Sequence, residues 1–313
     1  MIFRFFSVLF VFLILLACTH DKVSPYRKYQ TQNVIIIAID GPRYSETWGD
    51  PLRINIPVRD SLSAYGALFT NFRNLGETFT IPGHTAICTG NYQSIANDGS
   101  QLPNYPSIFQ MWLKSTNETY TKCGIIGSKD KLRVLSNCLY PDYQDQYRPF
   151  FNCGVNGDGT GGYRADSVTL EIALNVLAAN QPKLMLIAFK DPDFFGHQGD
   201  SARYIDAIRK TDEYLGIIWN YIQNSPVYKD KTTLIITNDH GRHLDGISDG
   251  YKSHGDNCDG CRHIELFALS PDFKSNVQLN TPYDQLDISA TIGELLHFPF
   301  YTGKGKVMTE LFR

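Results

Sequence analysis

Short apolar runs recur along this chain, and each stops abruptly at a polar turn. Asn33 to Ile39 (NVIIIAI), Leu184 to Phe189 (LMLIAF), Leu234 to Ile236 and Ile264 to Leu269 (IELFAL) are short and rich in aliphatic residues, so they read as buried strands. Lys122 to Gly127 (KCGIIG) is a further strand of the same kind. Between these runs the period changes. Pro106 to Lys114 reads as a helix, and Ala165 to Ala179 as another, with Val168, Ile172, Val176 and Ala179 at three- and four-residue spacing. A long helix is predicted from Ser201 to Asn224, with Ile205, Ile208, Leu215, Ile218, Trp219 and Ile222 inward, and a last one from Asp284 to Leu296. Strands alternating with helices imply an α/β protein with a doubly wound, mainly parallel sheet and helices on both faces.

Three stretches are less regular. Val58 to Phe69 is a polar run with amphipathic potential. Gly76 to His84 (GETFTIPGH) is a loop leading into the apolar segment Thr85 to Thr89. Pro82 suits the first position of a helix there, with Thr80 at or just before the start. Residues 137–162 show no period and contain the glycine-rich NGDGTGG, which lacks the Gly-Lys-Ser/Thr ending of a phosphate loop. This predicts a long surface loop, held by Cys138 and Cys153.

The chain has 313 residues, 42% hydrophobic and 19% charged, enough for one sizeable core. A formal charge of −3 and the lack of any basic run argue against nucleic acid as a partner. Residues 1–17 (MIFRFFSVLFVFLILLA) combine a basic Arg4 with an apolar run too short to span a bilayer, which reads as a secretory signal. Leu15-Leu16-Ala17-Cys18 resembles a bacterial lipobox, implying cleavage before Cys18, a lipid anchor on its thiol and a place in the bacterial cell envelope. Residues 18–32 would then be a tether and 33–313 a single catalytic domain. Six cysteines remain beyond Cys18. An even number in an exported chain points to disulfides, with Cys258 and Cys261 forming a local one.

Candidate chemistry sits at three strand ends: Asp40 after the first strand, Asp193 with His197 after LMLIAF, and Asp239 with His240 in TNDHG. An acid after a strand is commonly a turn former or helix cap. Carboxylates and imidazoles at the carboxyl ends of several parallel strands can instead converge on a metal.

In this order, the segments VIIIAIDG, TIPGHTAICTG, DPDFFGH, TNDHG and SHGDN resemble the alkaline phosphatase superfamily, in particular its nucleotide pyrophosphatase/phosphodiesterase branch. QLDISATIGELL resembles its terminal helix, so the likeness runs from residue 33 to about 296. The resemblance implies a metal-dependent phosphoric ester hydrolase with two divalent ions, zinc, acting on a small-molecule phosphate ester. Asp40, Thr80, Asp239 and His240 would hold one ion. Asp193, His197 and His254 would hold the other, with His263 as the rival for the last position. Thr80 would be the nucleophile, giving a phospho-threonine that water then cleaves. By looser likeness Asn97 would donate to a phosphate oxygen, although Asn-Asp-Gly also reads as a turn. Asp191 has no assigned role, and His84 and His243 read as supporting residues. Sulfatases of the superfamily carry Cys or Ser before x-Pro-x-Arg, whereas Thr80 precedes Ile-Pro-Gly-His. No Arg or third-metal site for a monoester's extra charge is evident, which favours diesters. The alternatives are a phosphomonoesterase or phosphonate hydrolase on the same fold, and a non-catalytic envelope binding protein.

Overall fold

The computed structural model describes residues 28–313. The expected signal segment and Cys18 therefore lie outside the described residues. The chain runs β1 (Asn33–Ile39), α1 (Pro57–Leu62), β2 (Ala67–Arg73), α2 (Thr80–Thr89), α3 (Ile108–Thr116), β3 (Cys123–Gly127), β4 (Phe150–Cys153), α4 (Asp166–Ala179), β5 (Leu184–Phe189), α5 (Asp191–His197), α6 (Ser201–Asn224), β6 (Thr232–Asn238), α7 (Asp259–Arg262), β7 (His263–Leu269), β8 (Val277–Leu279), β9 (Tyr283–Asp284) and α8 (Gln285–Leu295).

The central strand is β1, and its sequence requires that position. All seven of its residues are buried, so neither face can meet water. Alternation divides it between two cores. Val34, Ile36 and Ala38 pack with Ile87 of α2, Ile108 of α3 and Ile292 of α8. Ile35, Ile37 and Ile39 pack with Leu170 and Leu177 of α4 and Ile208 and Ile218 of α6 on the other face. The sheet order is β4-β3-β5-β1-β6-β7-β2-β8, with β9 also pairing β2. β5 and β6 flank β1 in parallel, and β3 lies parallel beyond β5. β7 runs antiparallel to both β6 and β2. The expected mainly parallel, doubly wound α/β sheet is thus what the chain forms.

Several local expectations differ. The run from Val58 to Phe69 divides into the short α1 and strand β2, whose Thr70 and Asn71 interrupt its apolar pattern at a bulge opposite β7. The loop 137–162 contains β4, a half-buried strand at the sheet edge. On α4 the buried stripe is Thr169, Leu170, Ala173 and Leu177, while Val168 is 43% exposed. Apolar residues nearly encircle that helix, so spacing alone selects the wrong stripe. Of the expected tether, Tyr29 to Thr31 are fastened to the body: Tyr29 Oη donates to Glu294 and the Gln30 and Thr31 amides donate to Asp272.

The disulfide expectation is also corrected. Among the described residues Cys88, Cys123, Cys138, Cys153, Cys258 and Cys261 are all unbonded thiols. Cys88, Cys123, Cys138 and Cys153 are core side chains packed among apolar residues. Burial pushes the Cys153 thiol up to about 12 and that of Cys138 up to about 11. Among the described residues no helix is long and apolar enough to cross a membrane.

One buried ionic group fastens α1 to the sheet and to α6. Arg59 donates through Nε to Asp212 at 2.8 Å and through Nη1 to Glu265 of β7 at 2.5 Å. Glu265 also accepts from Trp48 Nε1, and Asp212 accepts the Val58 and Arg59 amides at the start of α1. All three charged side chains are fully buried. Removing one member leaves its partners charged and uncompensated. Arg59→Met is expected to lower stability by about 3–5 kcal/mol, read from the urea unfolding midpoint. A shift under about 1 kcal/mol would mean the carboxylates find other partners.

Candidate metal centre and catalytic pocket

Sheet order explains why residues far apart in sequence meet. β5, β1 and β6 are adjacent and parallel, so the turns after all three open at one sheet edge. Asp40 follows β1, Asp193 lies in the first turn of α5 just after β5, and Asp239 and His240 follow β6. β7 is antiparallel, so its first residue, His263, starts at the same edge. β3 adds the segment Ser128-Lys129, with Ser128 N donating to Ala188 O of β5.

Asp40, Asp239 and His240 form one cluster, and Asp193, His197 and His254 a second. In the first, the His240 Nδ1 lies 2.9 Å from the Gly241 carbonyl, which can only accept. A neutral ring therefore turns the Nε2 lone pair inward, 3.3 Å from Asp40 Oδ1 and 3.4 Å from Asp239 Oδ2. All three atoms are buried and have no hydrogen-bond partner. Three lone pairs facing one another repel unless a proton or a cation lies between them. The donor set, two carboxylates and an imidazole, suits a divalent ion. Burial lowers the His240 pKa, but Asp239 and Asp40 override it, so the net shift is upward.

The second cluster follows the same logic. His254 Nδ1 meets the Thr78 carbonyl at 2.7 Å, which leaves Nε2 facing Asp193 Oδ1 at 3.3 Å and His197 Nε2 at 3.0 Å. Burial, followed by the nearby His240, pushes His254 down to about 4, so it stays neutral and available as a ligand at ordinary pH. His263 is elsewhere. It stacks on Tyr44 at a centroid distance of 3.8 Å and its Nε2 meets the Thr70 carbonyl. Asp191 pairs with Lys190 and belongs to neither cluster. His84 Nδ1 lies 2.9 Å from the Thr80 carbonyl and 3.3 Å from Asp239 Oδ2, between the two.

Thr80 is the first residue of α2, and the extended Phe79 before it has no side-chain cap to offer. Pro82 accordingly sits two residues further into the helix than expected. The missing cap is supplied from a distance: Asn97 Oδ1 accepts the Ile81 amide at 2.9 Å. Asn97 also accepts from Lys131 Nζ, at its backbone carbonyl and at Oδ1. With Oδ1 so occupied, the amide Nδ2 is the group Asn97 can offer a ligand. Asn97 thus belongs to a turn and also lines the pocket.

Sequence reasoning missed three cations. Lys129 Nζ, on an almost completely buried side chain, lies 2.7 Å from both Asp40 Oδ2 and Asp193 Oδ2 and donates to Thr80 Oγ1 at 3.0 Å. Burial alone would raise the Asp40 pKa, yet Lys129 and His240 hold it well below the usual carboxylate range. Lys131, near the mouth, is pushed down to about 8 by burial and then by the Lys129 charge. Arg242 holds Asp193 from behind: it donates to Asp193 Oδ1 and to the carbonyls of Tyr251 and Lys252. The only signal for these residues was adjacency, Ser-Lys-Asp-Lys after β3 and Arg242 after TNDHG. A cavity of about 320 Å³ opens over Thr80, with Asn97, Lys129, Lys131, Tyr163, Phe194 and His254 among its walls.

The nucleophile helix touches the metal-ligand turn at Gly83, where a Cβ would lie 2.4 Å from the Asp239 carbonyl oxygen. That oxygen also accepts from Asn74 Nδ2 and Gln285 Nε2, so it cannot retreat freely. Gly83→Ala is expected to cost about 1–3 kcal/mol through overpacking, measured by urea unfolding. An unchanged midpoint would show that α2 can move away without loss.

Comparison with known proteins agrees with this geometry. A family model described as Sulfatase matches residues 32–298. Murine ectonucleotide pyrophosphatase/phosphodiesterase 5 superposes with a TM-score of 0.66 at 14% identity, covering 90% of this chain and 100% of that one. A phosphonate monoester hydrolase from Silicibacter pomeroyi gives 0.62 at 15%, covering 89% and 76%. A 2-O GAG sulfatase gives 0.67 at 13%, covering 89% and 73%. At these identities the likeness speaks for the fold alone. The 2,3-bisphosphoglycerate-independent phosphoglycerate mutase of Gracilaria tenuistipitata var. liui is 31% identical over 130 residues, 41% of this chain. The chain spans about a quarter (24%) of that protein's length.

Proposed function

The chain belongs to the Sulfatase family, within the alkaline phosphatase superfamily, and from that premise we propose that it is a metal-dependent hydrolase of phosphoric esters using Thr80 as nucleophile. The observation that carries this reading is the placement of the Thr80 hydroxyl: it heads α2, lines the pocket and accepts a hydrogen bond from Lys129 between the two acid–histidine clusters. Asp40, Asp239 and His240, with the Thr80 oxygen, would hold one divalent ion, and Asp193, His197 and His254 the other; zinc suits these nitrogen and oxygen donors. When bound, the ions supply Lewis-acid stabilisation of charge on the reacting oxygens.

This chain's own groups account for the rest. Lys129 holds the Thr80 hydroxyl and favours its deprotonated form. Asn97 Nδ2 orients a phosphoryl oxygen above it. Attack by Thr80 Oγ1 forms an O–P bond as the bond to the leaving oxygen breaks, and the leaving oxygen takes up a proton. Water then cleaves the phospho-threonine, returning a proton to Thr80. Threonine followed by Ile-Pro-Gly-His supports phosphoryl over sulfuryl transfer, since it departs from the Cys or Ser before x-Pro-x-Arg pattern.

Lys131, on the pocket wall, favours a substrate with a second negative charge, a phosphomonoester, over a singly charged diester of the nucleotide pyrophosphatase/phosphodiesterase type or a phosphonate monoester. The modest cavity volume also suits a small molecule. The lipobox-like Leu15-Leu16-Ala17-Cys18 supports an envelope enzyme anchored through Cys18, which mass spectrometry of the mature chain would test.

Thr80→Ala is expected to abolish turnover of p-nitrophenyl phosphate and bis-p-nitrophenyl phosphate while retaining bound metal, and Thr80→Ser to keep a measurable rate. Full activity in Thr80→Ala, or turnover of p-nitrophenyl sulfate alone, would overturn the reading. The pH dependence has a definite sign. Lys131 is charged below about pH 8 and neutral above it, so KM for a dianionic monoester should rise through that region. Lys131→Met should flatten that rise, seen in KM profiles for the two enzymes.

A further inference from the structure

Beyond the two acid–histidine clusters, a third group of candidate ligands lies in the loop between β6 and β7. His243, Asp256, Cys258 and Cys261 bring four ligand atoms within 4.8 Å of one another. We propose that these residues form a separate metal site that takes zinc through two thiolates, an imidazole and a carboxylate, and that it clamps the loop carrying His254.

Four observations converge on it. First, His243 is 5% exposed, and its Nε2 is buried without a hydrogen-bond partner while lying 3.1 Å from Asp256 Oδ2. Second, the other ring nitrogen is already engaged: Nδ1 meets Ser253 Oγ at 3.0 Å and Asp249 Oδ1 at 3.3 Å. This is the outer-shell arrangement that fixes a metal-binding histidine, with one nitrogen held by a carboxylate and the other offering its lone pair. Third, the Cys258 and Cys261 sulfurs lie within 4.8 Å of an Asp256 carboxylate oxygen, are not bonded to each other, and the Cys258 amide donates to Asp256 Oδ1 at 2.9 Å. The Cys258 sulfur also accepts the Cys261 amide at 3.4 Å, a contact that strengthens when the sulfur is anionic. Fourth, the turn is built for close approach. A Cβ on Gly260 would lie 2.4 Å from the Arg242 carbonyl, so Cys-Asp-Gly-Cys can pass beneath residues 242–244 only with glycine there.

Two thiolates, one nitrogen and one oxygen make a closed four-ligand set of the structural kind. Binding releases two thiol protons to solvent, while the imidazole and carboxylate enter unprotonated. Asp256 is half-exposed, which leaves the ion a way in. The mechanical effect is local: Gly241 N donates to Cys261 O at 2.8 Å and His243 N to Ser253 O at 3.1 Å, so fixing the four ligands fixes both ends of the segment bearing His254.

The test uses the full reduced chain reconstituted with cobalt(II). The two acid–histidine clusters contain no sulfur, so a thiolate-to-cobalt charge-transfer band in the near ultraviolet reports this site alone, whatever becomes of the proposed hydrolase activity. The expected result is that band in the wild type, its loss in Cys258→Ser/Cys261→Ser, and a zinc content lower by one ion per chain in that variant. Absence of the band in wild-type protein with both thiols free would overturn the proposal, and that measurement needs no variant to fold. So would a Cys258–Cys261 disulfide, found by mass spectrometry in the natively isolated chain, or a double variant with unchanged zinc content.

Discussion

Like charges and lone pairs crowd the carboxyl edge of β5, β1 and β6, and the architecture around that edge serves to make the crowding tolerable. Asp40, Asp193 and Asp239 are each almost completely buried, in a place where an isolated carboxylate would be strongly disfavoured. Compensation comes from several directions. Lys129 bridges two of the acids, Arg242 braces one of them, and imidazoles face all three. Because β1 is buried on both faces and locked in register with β5 and β6, the acids cannot separate to relieve their repulsion. Rigidity of the sheet keeps that electrostatic cost in place, so it must be offset by the lysine, the arginine and the imidazoles around it.

The Arg59 group solves a related problem differently. There, one guanidinium satisfies two carboxylates from α6 and β7, and the atom left without a partner, Arg59 Nη2, is a donor. Near the pocket, by contrast, Asp40 Oδ1, Asp239 Oδ2 and His240 Nε2 lack hydrogen-bond partners. The difference is that the pocket cluster leaves acceptor atoms facing one another, whereas the Arg59 cluster has its carboxylate oxygens all paired. Both lie along one sheet, so the distinction comes from local donor supply and not from burial.

Much of the frame was readable in advance because uninterrupted apolar runs such as VIIIAI and LMLIAF have no alternative to burial. β2 and β4 were not, since Thr70 and Asn71 break one pattern and the other is four residues long, preceded by polar residues and followed at once by a glycine-rich run. On α4 the period was right and the stripe wrong, because apolar residues on several sides leave spacing ambiguous. At the site, Asp40, Asp193, His197, Asp239, His240 and His254 could be nominated because acids and imidazoles stand directly at strand ends or in recognisable segments. Lys129, Lys131 and Arg242 could not: basic residues are ordinary at surfaces, and only the neighbouring of β3 with β5 turns Lys129 inward. The cysteines misled for the opposite reason. Their even number suggested covalent pairing, while four of the six are apolar packing.

The reversal of β7 has one more effect. The excursion between β6 and β7 leaves the sheet and returns to it at the same edge, and its two ends are joined by the bond between Gly241 and Cys261. Such a segment is anchored like the handle of a cup: its stem is held by the sheet, while its span has no part in strand registration. An ancestral chain could therefore lengthen the exposed tip of this span around residues 246–248 without disturbing the strands that position the acids, or the Arg242 and His254 that the span itself contributes. In that sense the antiparallel turn in this region leaves evolutionary freedom at the tip of the span and constraint at its two ends.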